Sequence, residues 1–196
     1  MSKYFLASLN SFFIVFFAYF VFLSILSWQE SMELLVTGGL DIDIDIGSYL
    51  YLPLGAYAFC WVVFGKWGLP GQLLISILMS IYWELDSNIF VQFTLINVFG
   101  PIIAVWIFRF LQVYPFKDFN SETTLGILFL CIVLSLLNSL SKFFVYFMSD
   151  DHTNGAFNFL ATYLPGDFIG SLVFILFANF VIKIFHLGQY KIQSKR

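Results

Sequence analysis

Nine cationic side chains are distributed through this chain, and all but one fall at its ends or in alternate gaps between long apolar runs. Lys3, Lys66, Arg109, Lys117, Lys183, Lys191, Lys195 and Arg196 obey the rule, and Lys142 breaks it. Cations collect on the cytoplasmic side of membrane proteins, so this pattern sets a topology: a basic inner side and an acidic outer side. Composition points the same way, with 60% hydrophobic and only 11% charged residues, against roughly 25% charged in a soluble domain.

Candidate spans run from Phe5 to Ser27, Ser48 to Phe64, Gly71 to Trp83, Asn88 to Phe108, Thr123 to Met148 and Gly166 to Leu187. Crossing about 30 Å of hydrocarbon takes roughly 17 to 25 apolar residues. The third run, GQLLISILMSIYW, reaches only about 20 Å at 1.5 Å per residue, and by length alone suits a re-entrant piece. Charge decides for a crossing. Without it, Arg109 and Lys117 move to the side opposite Lys66, whereas six crossings gather Lys3, Lys66, Arg109, Lys117 and the basic tail together.

The expected fold class is therefore all-α: a polytopic integral membrane bundle of six transmembrane helices with both termini cytoplasmic. Lipid leaves no partner for an unpaired backbone group, which demands helices here because no segment alternates over barrel-length strands. Glu30, Glu33, Asp41, Asp43, Asp45, Glu84, Asp86, Asp150 and Asp151 then all fall outside. The first run exceeds a signal-peptide core and no small-residue cleavage site follows it before Trp28, so it reads as a permanent helix. Residues 1–187 form one membrane-embedded domain, and 188–196 a short basic cytoplasmic tail, too short to fold into an output module.

Covalent chemistry finds no support. Cys60 and Cys131 lie inside apolar runs and read as small buried hydrophobes. His152 in an outer loop and His186 at the inner end of the last helix have neither a second ligand at metal spacing nor a nucleophile nearby. In LDIDIDIGS the acids Asp41, Asp43 and Asp45 have the spacing of a calcium loop's start, but glycine comes at the seventh position and Leu52 stands where the twelfth-position acid belongs. The same alternation suits an extended stretch with its isoleucines on the membrane interface or the bundle. We expect no enzyme: no catalytic residues, metal or cofactor, and lipid rather than nucleic acid as the surroundings.

Polar groups within the spans are costly and tend to mark function, so their depth matters. Helix two descends from outside past Pro53 and Gly55. Helix three rises to an aromatic belt at Tyr82 and Trp83, followed by Glu84. Helix four descends through Asn88, Gln92 and Asn97 to Gly100-Pro101 near mid-membrane, where the missing amide donor implies a kink. Helix five rises through Asn138 and Lys142, and helix six starts at Gly166-Asp167. Pro53, Glu84, Asn88, Gln92, Asn97, Asn138, Lys142 and Asp167 thus converge on the outer leaflet as candidate ligand-binding residues, with a pocket open to the outer face and Gly100-Pro101 as the candidate switch. Lys142 and Asp167 are expected to pair there; the structural alternative has Lys142 snorkelling to headgroups and Asp167 capping its helix. The stretch AFNFLATYLP before Gly166 is apolar enough for the interface. A single helix from Ala156 to Leu187 would exceed about 45 Å, so a break is expected at Pro165-Gly166, with Gly166 and Gly170 giving close helix packing.

Tyr51-Leu52-Pro53-Leu54-Gly55, Trp67-Gly68-Leu69-Pro70-Gly71, FTLINVFGPIIAVWIFRFL with Asn97 and Arg109, and Gly166-Asp167-Phe168-Ile169-Gly170 resemble, in order and spacing, the first membrane-associated sensor (MASE) family. The likeness runs from about Ser48 to Phe180. Those integral membrane domains usually precede cyclase, phosphodiesterase or histidine kinase modules in bacteria, commonly with more helices. Leu69 stands where the family often has Trp, and Gly100 where an acid is common. The resemblance implies a multi-pass sensor domain in a bacterial plasma (inner) membrane that takes part in signal transduction. It would receive a small-molecule cue and act through a membrane or cytoplasmic protein partner. Size and six-helix topology are also similar to the substrate-binding subunits of energy-coupling factor transporters, which dock on a partner through small residues of the first helix, here Ala7 and Ser11. Uptake of a small solute is the alternative function.

Overall fold

The computed structural model describes residues 3–37, 50–85, 87–110, 121–149 and 156–193. Every regular element among them is helical: α1 (Lys3–Thr37), α2 (Leu52–Phe64), α3 (Leu69–Tyr82), α4 (Ser87–Phe110), α5 (Ser121–Ser149) and α6 (Ala156–Gln193), with a 3-10 turn at Gly65–Trp67. Among the described residues, four stretches are long and apolar enough to cross a membrane: Lys3–Ser27, Ile89–Phe108, Leu125–Phe144 and Tyr163–Val181. The Asp41, Asp43 and Asp45 stretch, Asp86, Lys117, Asp150, Asp151 and His152 lie outside the described residues.

This is a membrane protein turned inside out relative to a soluble one. Its surface carries Phe13, Phe17, Leu95, Trp106, Phe129 and Phe177, all exposed, while its interior holds Gln72, Asn97, Asn138, Lys142, Asp167 and Asn179, all buried. In water that surface would be prohibitively apolar. Against lipid tails it costs nothing, and the polar groups are sheltered within the bundle.

The helices alternate in direction, as their contacts reveal. Tyr19 of α1 bonds Tyr51 at the start of α2, while Ser11 meets Cys60 near its end, so α1 and α2 are antiparallel. Tyr19 also packs on Trp83 at the end of α3, and Ser8 lies against Gly71 at its start, so α1 and α3 are parallel. Exposed Lys66 therefore sits at one end of the bundle and exposed Glu84 at the other.

At 13 residues, α2 is short, about 20 Å. It nevertheless forms the axis of the bundle, packed against α1, α4 and α6, with every residue from Leu52 to Cys60 buried. Ala56, Tyr57 and Cys60 join one apolar cluster with Val15 and Ile75, while Leu54 and Ala58 join a second with Phe108, Leu130 and Ile175. Proline stands in the first turn of both α2 and α3, where no amide is needed. Gly65 closes α2 at φ 55 and ψ -142, a conformation that glycine adopts readily. Glu84 closes α3 at φ 51, while the Leu85 and Glu84 amides turn back onto the Ser80 and Ile81 carbonyls.

Two expectations are corrected. First, α1 continues past Ser27 to Thr37, so the outer segment expected from Trp28 begins as helix. Second, α6 does not break at Pro165-Gly166 but runs unbroken from Ala156 to Gln193, carrying helix into the expected tail. Neighbours take up carbonyls around the proline: Ser135 Oγ donates to Leu164 O at 2.6 Å and Tyr51 N to Gly166 O at 3.2 Å. Of the small residues of α1, Ser11 is buried and lies against Gly68 of the same chain, and Ala7 is half-buried.

Candidate functional site

Ser135, Asn138, Ser139 and Lys142 recur on α5 at the spacing that lines one face of a helix. All four are buried. Asn138 Nδ2 donates to Asp167 Oδ2 at 2.7 Å, and Ser139 Oγ donates to the same oxygen at 2.8 Å. Hydrogen bonds to a charged group are each worth about 1.5 to 3 kcal/mol, so these two tie α5 to α6 firmly. The other half of the site is unsatisfied. Asp167 Oδ1 and Asn138 Oδ1 are buried and have no hydrogen-bond partner.

Lys142 does not make the expected ion pair with Asp167, whose Oδ2 is taken by Asn138 and Ser139. Its ammonium lies instead 4.5 Å from the centroid of Tyr51 and 5.6 Å from that of Phe93, and the residue is only 5% exposed. Ring faces attract a desolvated cation by about 2 kcal/mol, but they accept none of the directional hydrogen bonds that an ammonium can donate. The cause is local. Asp167 meets α5 one turn earlier, at Asn138 and Ser139, leaving Lys142 to reach the rings of α2 and α4.

Tyr51 organises this end of the bundle. Its amide holds Gly166 O, its hydroxyl is 2.9 Å from that of Tyr19, and its ring lies beneath Lys142. Gly170 makes the approach possible, because a Cβ there would collide with the Tyr51 backbone. Gly55 similarly meets the Ser171 backbone, where a Cβ would stand 2.9 Å from Cα. Ser171 adds a buried hydroxyl without a partner.

Of the candidate residues, Asn138, Lys142 and Asp167 come together. Pro53 is buried in the first turn of α2, two residues beyond Tyr51. Asn97 is buried on α4 with Oδ1 unpartnered, and no hydrogen bond joins it to the cluster. Gln92 is exposed, and Glu84 is an exposed helix cap. The Asn88 side chain lies outside the described residues. Gly100 has open space beside it and Pro101 is buried within an unbroken α4.

Sequence reasoning missed Tyr19, Tyr51, Phe93 and Ser139. The spacing on α5 held the signal for Ser139, whereas the rings are indistinguishable in a chain with 27 Phe and 10 Tyr. A second polar seam was also missed: on the α3–α4 side, Ser76 Oγ donates to Thr94 O at 3.5 Å and the Ser80 hydroxyl is 3.2 Å from that of Thr94. Among the described residues, no group of three His, Cys, Asp or Glu side chains is placed to hold a metal ion.

No family model matches the chain, and no curated protein or solved structure matches it.

Proposed function

We propose that this chain is a membrane-embedded receptor for a small molecule, sited where α2, α5 and α6 meet, which signals through a protein partner. In this reading it crosses a bacterial inner membrane six times with both termini in the cytoplasm, and the cluster faces outward. The alternating helices, with Lys66 at one end and Glu84 at the other, support that orientation.

The observation that carries the reading is the condition of Lys142 and Asp167. Buried ionisable groups in a membrane ordinarily neutralise each other directly. Here Lys142 is turned onto rings and half of the Asp167 carboxylate is left unbonded. A bound molecule would complete both.

Response would pass through α4. Phe93, beside Lys142, Asn97 and Pro101 follow one another at four-residue spacing and so share a face. Pro101 lacks the amide that would hold the Asn97 carbonyl, which leaves this turn the softest in the helix. The ordered motifs that resemble those of membrane-associated sensors suit the same reading. The uptake alternative loses support, because Ser11 is buried within the chain.

A native mass spectrum of the protein released from its own membranes tests the receptor reading. A retained small molecule is expected on the wild type and not on Lys142→Met. Stable co-purification with an ATPase-driven transport module would favour uptake instead.

A further inference from the structure

The charges at this site restrict what it can hold. Lys142 brings a cation with several donors into a buried setting and meets ring faces rather than acceptors. Across the α5–α6 seam, Asp167 Oδ1 and Asn138 Oδ1 are acceptors without donors. The Asn138 amide cannot be turned over to relieve this, because its nitrogen already serves Asp167 Oδ2 at 2.7 Å.

Lysine and aspartate together are neutral. A simple anion drawn to Lys142 would add net charge to a poorly hydrated site, meet repulsion from Asp167 and leave both free oxygens unbonded. A simple cation on Asp167 would be repelled by Lys142 and leave that ammonium unserved. A molecule with an acceptor at one end and a charged donor at the other answers both needs and adds no net charge.

We propose that the Lys142–Asn138–Asp167 cluster binds a small zwitterion of the amino-acid type. Its carboxylate accepts from the Lys142 ammonium, and its own ammonium donates to Asp167 Oδ1 and Asn138 Oδ1. This rests on the receptor reading above and names the ligand class for that same site. The absence of a direct Lys142–Asp167 bond fits, since such a bond would occupy the groups that a zwitterion uses. The Tyr51 and Phe93 rings beside the ammonium suit a short hydrocarbon link between the two charges. Ordered water is the competing occupant, since it too both donates and accepts.

The test is thermal unfolding of the purified full chain in nanodiscs with the common α-amino acids, β-alanine and γ-aminobutyrate, set against propionate and propylammonium as single-charge controls. One or more zwitterions should raise the melting temperature by about 5 °C when present at roughly a hundred times their dissociation constant. Neither control should do so. The shift should vanish in Lys142→Met and Asp167→Asn and survive in Lys142→Arg, which keeps the charge; calorimetric titration of the wild type stands in if either neutral variant fails to fold. A shift from propionate or propylammonium as large as from any zwitterion overturns the zwitterion and leaves a receptor of another ligand class. No response to any compound, with a native mass spectrum free of small molecules, overturns the receptor as well and leaves ordered water only.

Discussion

The Lys142 ammonium lies 4.5 Å from the centroid of the Tyr51 ring, although a buried carboxylate, Asp167, stands on the neighbouring helix. Tyr51 thereby joins α5, which carries the cation, to α6, whose Gly166 carbonyl accepts its amide one residue before Asp167.

Two hydrogen bonds hold the buried Asp167 carboxylate to α5. Asn138→Ala or Ser139→Ala should each cost about 1.5 to 3 kcal/mol. Both bonds end on one oxygen, so the double variant should depart from additivity by at least about 0.5 kcal/mol. Unfolding of the single and double variants in detergent measures this, and simple addition would mean that the two bonds act independently.

Two glycines should behave in opposite ways. Gly170→Ala drives a methyl group into the Tyr51 backbone and should cost about 3 kcal/mol or more, parting α2 from α6. Gly100→Ala meets open space and should be neutral or gain up to about 1 kcal/mol from helix propensity. Comparison of their melting temperatures checks the close approach at Gly170 directly.

Much of the fold was legible in the sequence, because spans in lipid are long, apolar and punctuated by charge. The spans from Asn88 and Thr123 match α4 and α5 to within two residues at each end. The continuity of α6 was not legible: Pro165 signals a break, and the contacts that Ser135 and Tyr51 make with the Leu164 and Gly166 carbonyls come from far away in the chain. Within the site, Asn138, Lys142 and Asp167 stood out because polar residues are rare in such segments. Their actual partners did not, since pairing depends on which helical turns meet. Glu84 stood out by charge, whereas its place as the cap of α3 is set by a backbone angle that charge does not announce.

That angle can be tested. A residue with a Cβ loses about 1 to 2 kcal/mol in the left-handed region, a cost that glycine avoids while gaining chain entropy when unfolded. Glu84→Gly should therefore stabilise the protein by roughly 0.5 kcal/mol and leave any ligand response unchanged. A loss of response would return Glu84 to the site.

Orientation is open to labelling. After Cys60 and Cys131 are replaced by alanine, a single cysteine at exposed Glu84 should react with a membrane-impermeant thiol reagent in intact cells. One at exposed Lys66 should react only after permeabilisation. The reverse pattern would place the cluster on the cytoplasmic side.

The most direct measurement is a high-resolution density map of the chain in nanodiscs, prepared without stripping native small molecules. We expect non-protein density larger than a water, in contact with both Lys142 Nζ and Asp167 Oδ1, and absent from the Lys142→Met, Asp167→Asn double variant. Ordered waters alone between those atoms, or a direct Lys142–Asp167 ion pair, would contradict the receptor site.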